Sequence, residues 1–181
     1  MLARNFFDVS SITGSQKIYL LIIGGEEKVK PRIVEKEGFK ALGFKWQGTF
    51  DEASQGGIQK LFPELQAVTE GIENKVNPGI VIGVSYHNLT GGLTYYLCSE
   101  VSEIEEIRYG LEIVEVPAYT YAVLEHEGPD VMASYQRLYS WIEENGFSLN
   151  QQILEHLEEY PSDYQPYSDE LKLIIHIPVL R

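Results

Sequence analysis

Cysteine is almost absent from this 181-residue chain, methionine occurs twice, and no apolar run is longer than six residues. With Cys98 alone, no intramolecular disulfide can form and no thiolate cluster can hold a structural zinc, which fits a reducing cytoplasm. The longest apolar run, Ile18 to Ile23 in KIYLLIIGG, falls far short of the roughly 20 residues a membrane-spanning helix needs. It follows a polar and aromatic leader without a small-residue cleavage site. It therefore reads as a buried strand, neither an export signal nor a membrane span.

Positive charge is also scarce. Fourteen Lys and Arg stand against 27 Asp and Glu, for a net charge of -13, and residues 101–181 alone hold 4 basic and 16 acidic groups. Phosphate-backbone binding needs clustered Lys and Arg, so this field repels nucleic acid and anionic lipid and attracts cations. Residues 1–16 hold too little apolar periodicity for the packed helices of a helix-turn-helix. There is no HExxH, no nucleophile elbow and no Walker A loop. The histidines, His87, His126, His156 and His176, lie on separate segments. His156 and Glu158 share one strand face and read as a solvent-facing or hydrogen-bonded pair, and no metal or cofactor is expected.

What is present is a globular composition, 44% hydrophobic and 12% aromatic, in a length that suits one domain or two fused halves. The sequence overlies itself at an offset of 80. IVEKEGFKALGFKWQG from Ile33 lies over IVEVPAYTYAVLEHEG from Ile113, with Phe39 on Tyr119, Phe44 on Leu124 and Trp46 on His126. A helical stripe follows each copy. In the first half it is Ile58, Leu61, Phe62, Leu65, Val68 and Ile72, with Pro63 demanding a kink or a helix start. In the second it is Val131, Met132, Tyr135, Leu138, Tyr139 and Ile142, with Asp130 as N-cap and Gly146 as stop.

Two strand-like runs follow each helix: Ile80–Tyr86 and Leu93–Val101 around a loop from His87 to Gly92, then Ile153–Tyr160 and Leu171–Val179 around PSDYQPYSDE. The fold expected is α+β, a tandem duplication of two β-α-β-β units packed about a pseudo-twofold axis with a central ligand groove. Residues 1–30 form an N-terminal extension and linker, residues 31–180 the domain, and the halves run about 31–102 and 111–180.

Chemistry concentrates in the second half, which holds eight of the 12 tyrosines and Trp141. Read as a strand, Ile153 to Tyr160 places Leu154, His156, Glu158 and Tyr160 on one face and Ile153, Glu155, Leu157 and Glu159 on the other. Either face carries a carboxylate. One held among aromatic rings can neutralise and embrace a lipophilic cation, whereas glutamates on a solvated sheet edge would do nothing of the kind.

The segments YAVLEHEGP, SYQRLYSWIEENGF, LEEYPSDY and LKLIIHIPV, with PRIVEKEGFKALGFKWQG and IGVSYHNLTGGLTYYLCSEV before them, resemble the GyrI-like small-molecule-binding domain. That is the effector-binding domain of AraC- and MerR-type regulators, also found alone. The resemblance implies two β-α-β-β units around a groove that binds hydrophobic, often cationic compounds against a glutamate in an E-x-Y pattern. Here that pattern is Glu158-Glu159-Tyr160, with Glu155 the second choice. Trp46, Tyr95, Tyr121, Trp141 and Tyr160 are the wall candidates. Cys98-Ser99 replaces the family's small Ala-Gly pair.

The function expected is a stand-alone binder of a lipophilic compound, without direct nucleic-acid binding. Two alternatives come with the family: hydrolysis of strained cyclopropane-containing genotoxins by Glu158 with Tyr121 or Tyr95, and an acidic module that meets gyrase or a regulator as a protein partner.

Overall fold

A computed structural model describes residues 30–152, 154–168 and 170–181. The expected strand at Ile18–Ile23 lies outside these residues, as does most of the charged linker. Strand β1 spans Arg32–Lys36, β2 Phe39–Thr49, β3 Ile80–Leu89 and β4 Gly92–Val101. In the second half β5 spans Glu112–Val116, β6 Tyr119–Glu127, β7 Ser148–Leu149, β8 His156–Pro161 and β9 Lys172–Leu180. The helices are α1 (Phe50–Glu52), α2 (Leu61–Val68) and α3 (Val131–Glu144), with a π turn over Ala53–Gly57 and a 3-10 turn over Thr69–Gly71.

All strands join one antiparallel array in the order β1-β6-β9-β8-β3-β4-β2-β5, with β7 on the end of β9. The protein is thus α+β, with one large antiparallel sheet and three helices. The expected unit is corrected: each extended segment breaks into two strands, so residues 32–101 run strand, strand, two helices, strand, strand, and residues 112–180 run strand, strand, helix and then three strands, the first of them the short β7. Gly38 breaks the first, where an added Cβ would sit 3.1 Å from the backbone of Val116 and Ala118. Pro117, which cannot donate to a ladder, breaks the second. The short lead strand of each half then pairs with the other half, β1 on β6 and β5 on β2.

Both long helices lie on one face of the sheet. Leu61, Phe62 and Leu65 of α2 and Leu138 and Ile142 of α3 join a single core with Leu97, Leu124, Ile175 and Ile177. Pro63 falls in the first turn of α2, where its missing N–H has no partner to lose. Ile58 and Ile72, the ends of the expected stripe, lie outside that helix because the turns at Gly56–Gly57 and Gly71 bound it. Asp130 caps α3 by accepting from Ala133 N at 3.0 Å, and Gly146, at φ +75°, ends it. The loop between β3 and β4 is tighter than expected, since both strands run on to Leu89 and Gly92.

Helix α2 rests on β2 and β4, and α3 on β6, so the central strands β3 and β8 run between the two helices. No helix among the described residues is long and apolar enough to cross a membrane.

Candidate functional site

Strand β8 starts at His156, three residues later than the alternation suggests; within it the parity holds, but Leu154, expected beside Glu158, packs with Leu157 in the core of the other face because the alternation breaks before His156. His156, Glu158 and Tyr160 face the helices, and Leu157 and Glu159 face away. The register fixes what stands beside them: Glu158 lies opposite Gly83 of β3 and Ile175 of β9, and His156 opposite Ser85, which is itself opposite Tyr95 of β4.

Glu158 stands on the sheet face that carries the helices and is only 8% exposed. Three phenols donate to it. Tyr95 and Tyr160 bond Oε2 at 2.9 and 2.8 Å, and Tyr135, reaching down from α3, bonds Oε1 at 2.6 Å. An ionised carboxylate withdrawn from water needs such partners, since leaving it unpaired costs several kcal/mol. The phenols are held protonated in turn: burial first, and then the charge of Glu158, pushes Tyr95, Tyr135 and Tyr160 well above the ordinary tyrosine range.

Gly83 makes the arrangement possible. An added Cβ there would lie 1.9 Å from the Tyr95 hydroxyl and 3.2 Å from Glu158 Oε2, so the tyrosine crosses the strand only because the position is bare. Further rings close the space on both sides. Phe62 of α2 meets Tyr160 and Tyr164 edge-on at 5.0 and 5.2 Å, Tyr160 stacks on Tyr164, and Tyr135 lies between Tyr139 and His156. Burial, chiefly, depresses the His156 pKa, with Glu158 opposing the shift, so the ring lies neutral beside the carboxylate. Two open clefts occur elsewhere, one around Ile72, Glu103 and Leu111 and one around Phe39, Glu100 and Pro117. Neither includes a residue that bonds Glu158. Directly over the carboxylate stand the phenols of Tyr95, Tyr135 and Tyr160.

Of the residues singled out in the sequence, Glu158, Tyr95 and Tyr160 come together here. Trp46 is opposite Tyr95 on the same face, one strand further out, packed under Gly48 and Gly57. Trp141 stacks on Phe147 at 6.1 Å and does not touch the carboxylate. Glu155 precedes β8, accepts from Gln151 at 2.6 Å and faces His87 at 3.6 Å.

Tyr121 is not at this site. It pairs with Pro178, which turns it to the opposite sheet face, where it packs with Cys98, Val123 and Leu157 and its buried hydroxyl has no partner among the described residues. Glu159 is on that second face as well, ion-paired to Lys36. Cys98 is buried there, its thiol 3.3 Å from the Ile82 carbonyl and pushed up by burial.

Tyr135 is the functional candidate that sequence reasoning passed over. It falls in the helical stripe of α3, where spacing alone assigns it no part in a site. Its signal is the tyrosine pair at i and i+4, Tyr135 and Tyr139, on a stripe otherwise aliphatic.

A model of the GyrI-like small molecule binding domain matches residues 29–180. The chain belongs to this family. Among curated proteins nothing matches. Similar solved structures include SAV2435 bound to tetraphenylphosphonium, at 15% identity and TM-score 0.63, covering 83% of this chain and 94% of that one. The EcmrR C-terminal domain matches at 17% identity and TM-score 0.63, covering 84% and 98%. A hydrolase from Listeria innocua matches at 13% identity and TM-score 0.55, covering 84% and 93%. At these identities the GyrI-like fold is what is shared.

Proposed function

We propose that this GyrI-like domain binds a lipophilic cation in the groove between α2 and α3, with Glu158 as counter-charge and Tyr95, Tyr135, Tyr160, Tyr164 and Phe62 as the aromatic wall. The observation that carries this is a buried carboxylate held by three neutral phenols. Such a group attracts a cation strongly once the cation has shed its water, and ring faces stabilise the same charge by about 0.5 to 2 kcal/mol. The acidic charge of the chain draws cations towards it. SAV2435 with its phosphonium ligand shows that this fold accommodates such a compound in another protein.

The groove's symmetry supports reading the domain as a tandem duplication. Strands β1 and β2 start 80 residues before β5 and β6, and the sheet order places equivalent strands at matching distances from the β8/β3 pair. The ligand would then sit on the pseudo-twofold axis, and the protein would work in the cytoplasm without DNA contacts of its own.

Calorimetric titration with tetraphenylphosphonium and with its anionic isostere tetraphenylborate tests the reading. The phosphonium ion should bind and the borate should not. Equal binding of the two would remove Glu158 from the account.

A second reading, hydrolysis, has the protonated phenols in its favour, since Glu158 could orient a water while a tyrosine protonates the leaving group. Tyr95, Tyr135 or Tyr160 would serve; Tyr121, on the other face, could not. Turnover in excess over protein separates a hydrolase from a binder.

A further inference from the structure

The groove does not end at Glu158. Along β8 towards α3's C-terminal half the same face carries His156, and beyond it Glu155, whose backbone N–H still bonds the Ser85 carbonyl at 2.9 Å. Regular alternation would turn Glu155 to the far face, but it lies outside β8, and its carboxylate meets His87 and Gln151, which in turn bonds Tyr139 of α3. Glu155 is three residues from Glu158. At strand rise that separation is about 10 Å.

Between the two carboxylates lies Ser85, opposite both His156 and Tyr95 and so on the groove face. It is fully buried, and its hydroxyl has no hydrogen-bond partner among the described residues. A buried hydroxyl without a partner costs about 1 to 3 kcal/mol, so Ser85 has a hydrogen bond to offer to a polar atom placed over it. At the outer end Glu155 is one-fifth exposed, and its contacts with Gln151 and His87 both fall on Oε1. Aromatic walls continue the whole way, from Tyr135 to Tyr139 on α3 and from His156 to His87 on the strands.

We infer that the groove selects an elongated dication: one positive group at Glu158, the other at Glu155, and a spacer of about 10 Å passing over Ser85. This rests on the reading of Glu158 as a cation site and adds the shape and second charge of the ligand. Monovalent lipophilic cations would fill only the inner half.

The test uses bis(trimethylammonium)alkanes with short, matching and long spacers, each compared by calorimetry with the alkyltrimethylammonium monocation of the same chain length. The matching dication should bind at least about fivefold tighter than its monocation, the size of one additional partly exposed charge pair. That ratio should fall to near one in Glu155→Gln. The urea midpoint of Glu155→Gln and its retained Glu158-dependent binding of the monocation check that this variant folds. If the monocation binds in a Glu158-dependent way but no spacer gives a preference, the second subsite is wrong and the cation site stands. If the preference persists in Glu155→Gln, the second charge lies elsewhere and the inference fails. If neither compound binds the unaltered protein, the cation site itself is wrong, and this inference falls with it.

Discussion

At the scale of single residues, the site depends on what Gly83 leaves out as much as on what Glu158 supplies. The Tyr95 hydroxyl occupies the space a side chain at 83 would take. Gly83→Ala should therefore break the Tyr95–Glu158 bond and destabilise the fold by about 1 to 3 kcal/mol, the usual penalty for overpacking a filled core. Urea denaturation measures the loss; an unchanged midpoint would mean that Tyr95 has another rotamer open to it.

Glu158 and Tyr160 were readable in the sequence because the period of a strand is two and their relative parity survives a shifted start. Tyr121 was not placeable. Its face depends on pairing with Pro178, a partner 57 positions away along the chain, and nothing local fixes that register.

Helix α3 brings the third donor to the carboxylate and so couples an element to the site. Its beginning and end were legible, since Asp130 and Gly146 carry local chemistry that needs no distant partner. Asp130→Ala should lower stability by about 1 kcal/mol. Tyr135 donates to Glu158 Oε1, so a cation reaching that oxygen must displace it. Tyr135→Phe should accordingly destabilise the unliganded protein by about 1.5 to 3 kcal/mol, the worth of a charge-assisted bond, while binding tetraphenylphosphonium at least as tightly as the unaltered chain. Weaker binding would show that Tyr135 stays on the ligand.

The exchange of lead strands between halves was beyond local reading. The 80-residue offset aligns two segments but says nothing of which strand each pairs with. The observed order β1-β6 and β2-β5 is a tertiary choice.

Across the whole molecule, the second face of the sheet sets the pH limits. His176 is buried there, and its pKa is pushed down to about 4, chiefly by burial, with Glu159 opposing. The unfolded chain keeps an ordinary histidine near 6.5. Between those values the unfolded state takes up a proton that the folded state refuses. Stability should fall as pH drops from about 6.5 towards 4, by an amount on the order of 3 kcal/mol from this group. His156, depressed in the same sense, adds to the loss, while Glu100, raised by burial, opposes it. Urea midpoints taken across that window check the sign; a midpoint that rises on acidification would contradict it.

The central claim concerns one charge in one groove. Titration of tetraphenylphosphonium into the unaltered protein and into Glu158→Gln tests it most directly. The amide keeps the shape of the carboxylate and can still engage the phenols, so the variant should fold. With the charge gone, a desolvated cation has no partner, and affinity should drop about 100-fold, which corresponds to roughly 3 kcal/mol. A folded Glu158→Gln protein that binds the phosphonium ion within about threefold of the unaltered chain, a difference of under 1 kcal/mol, would contradict the account.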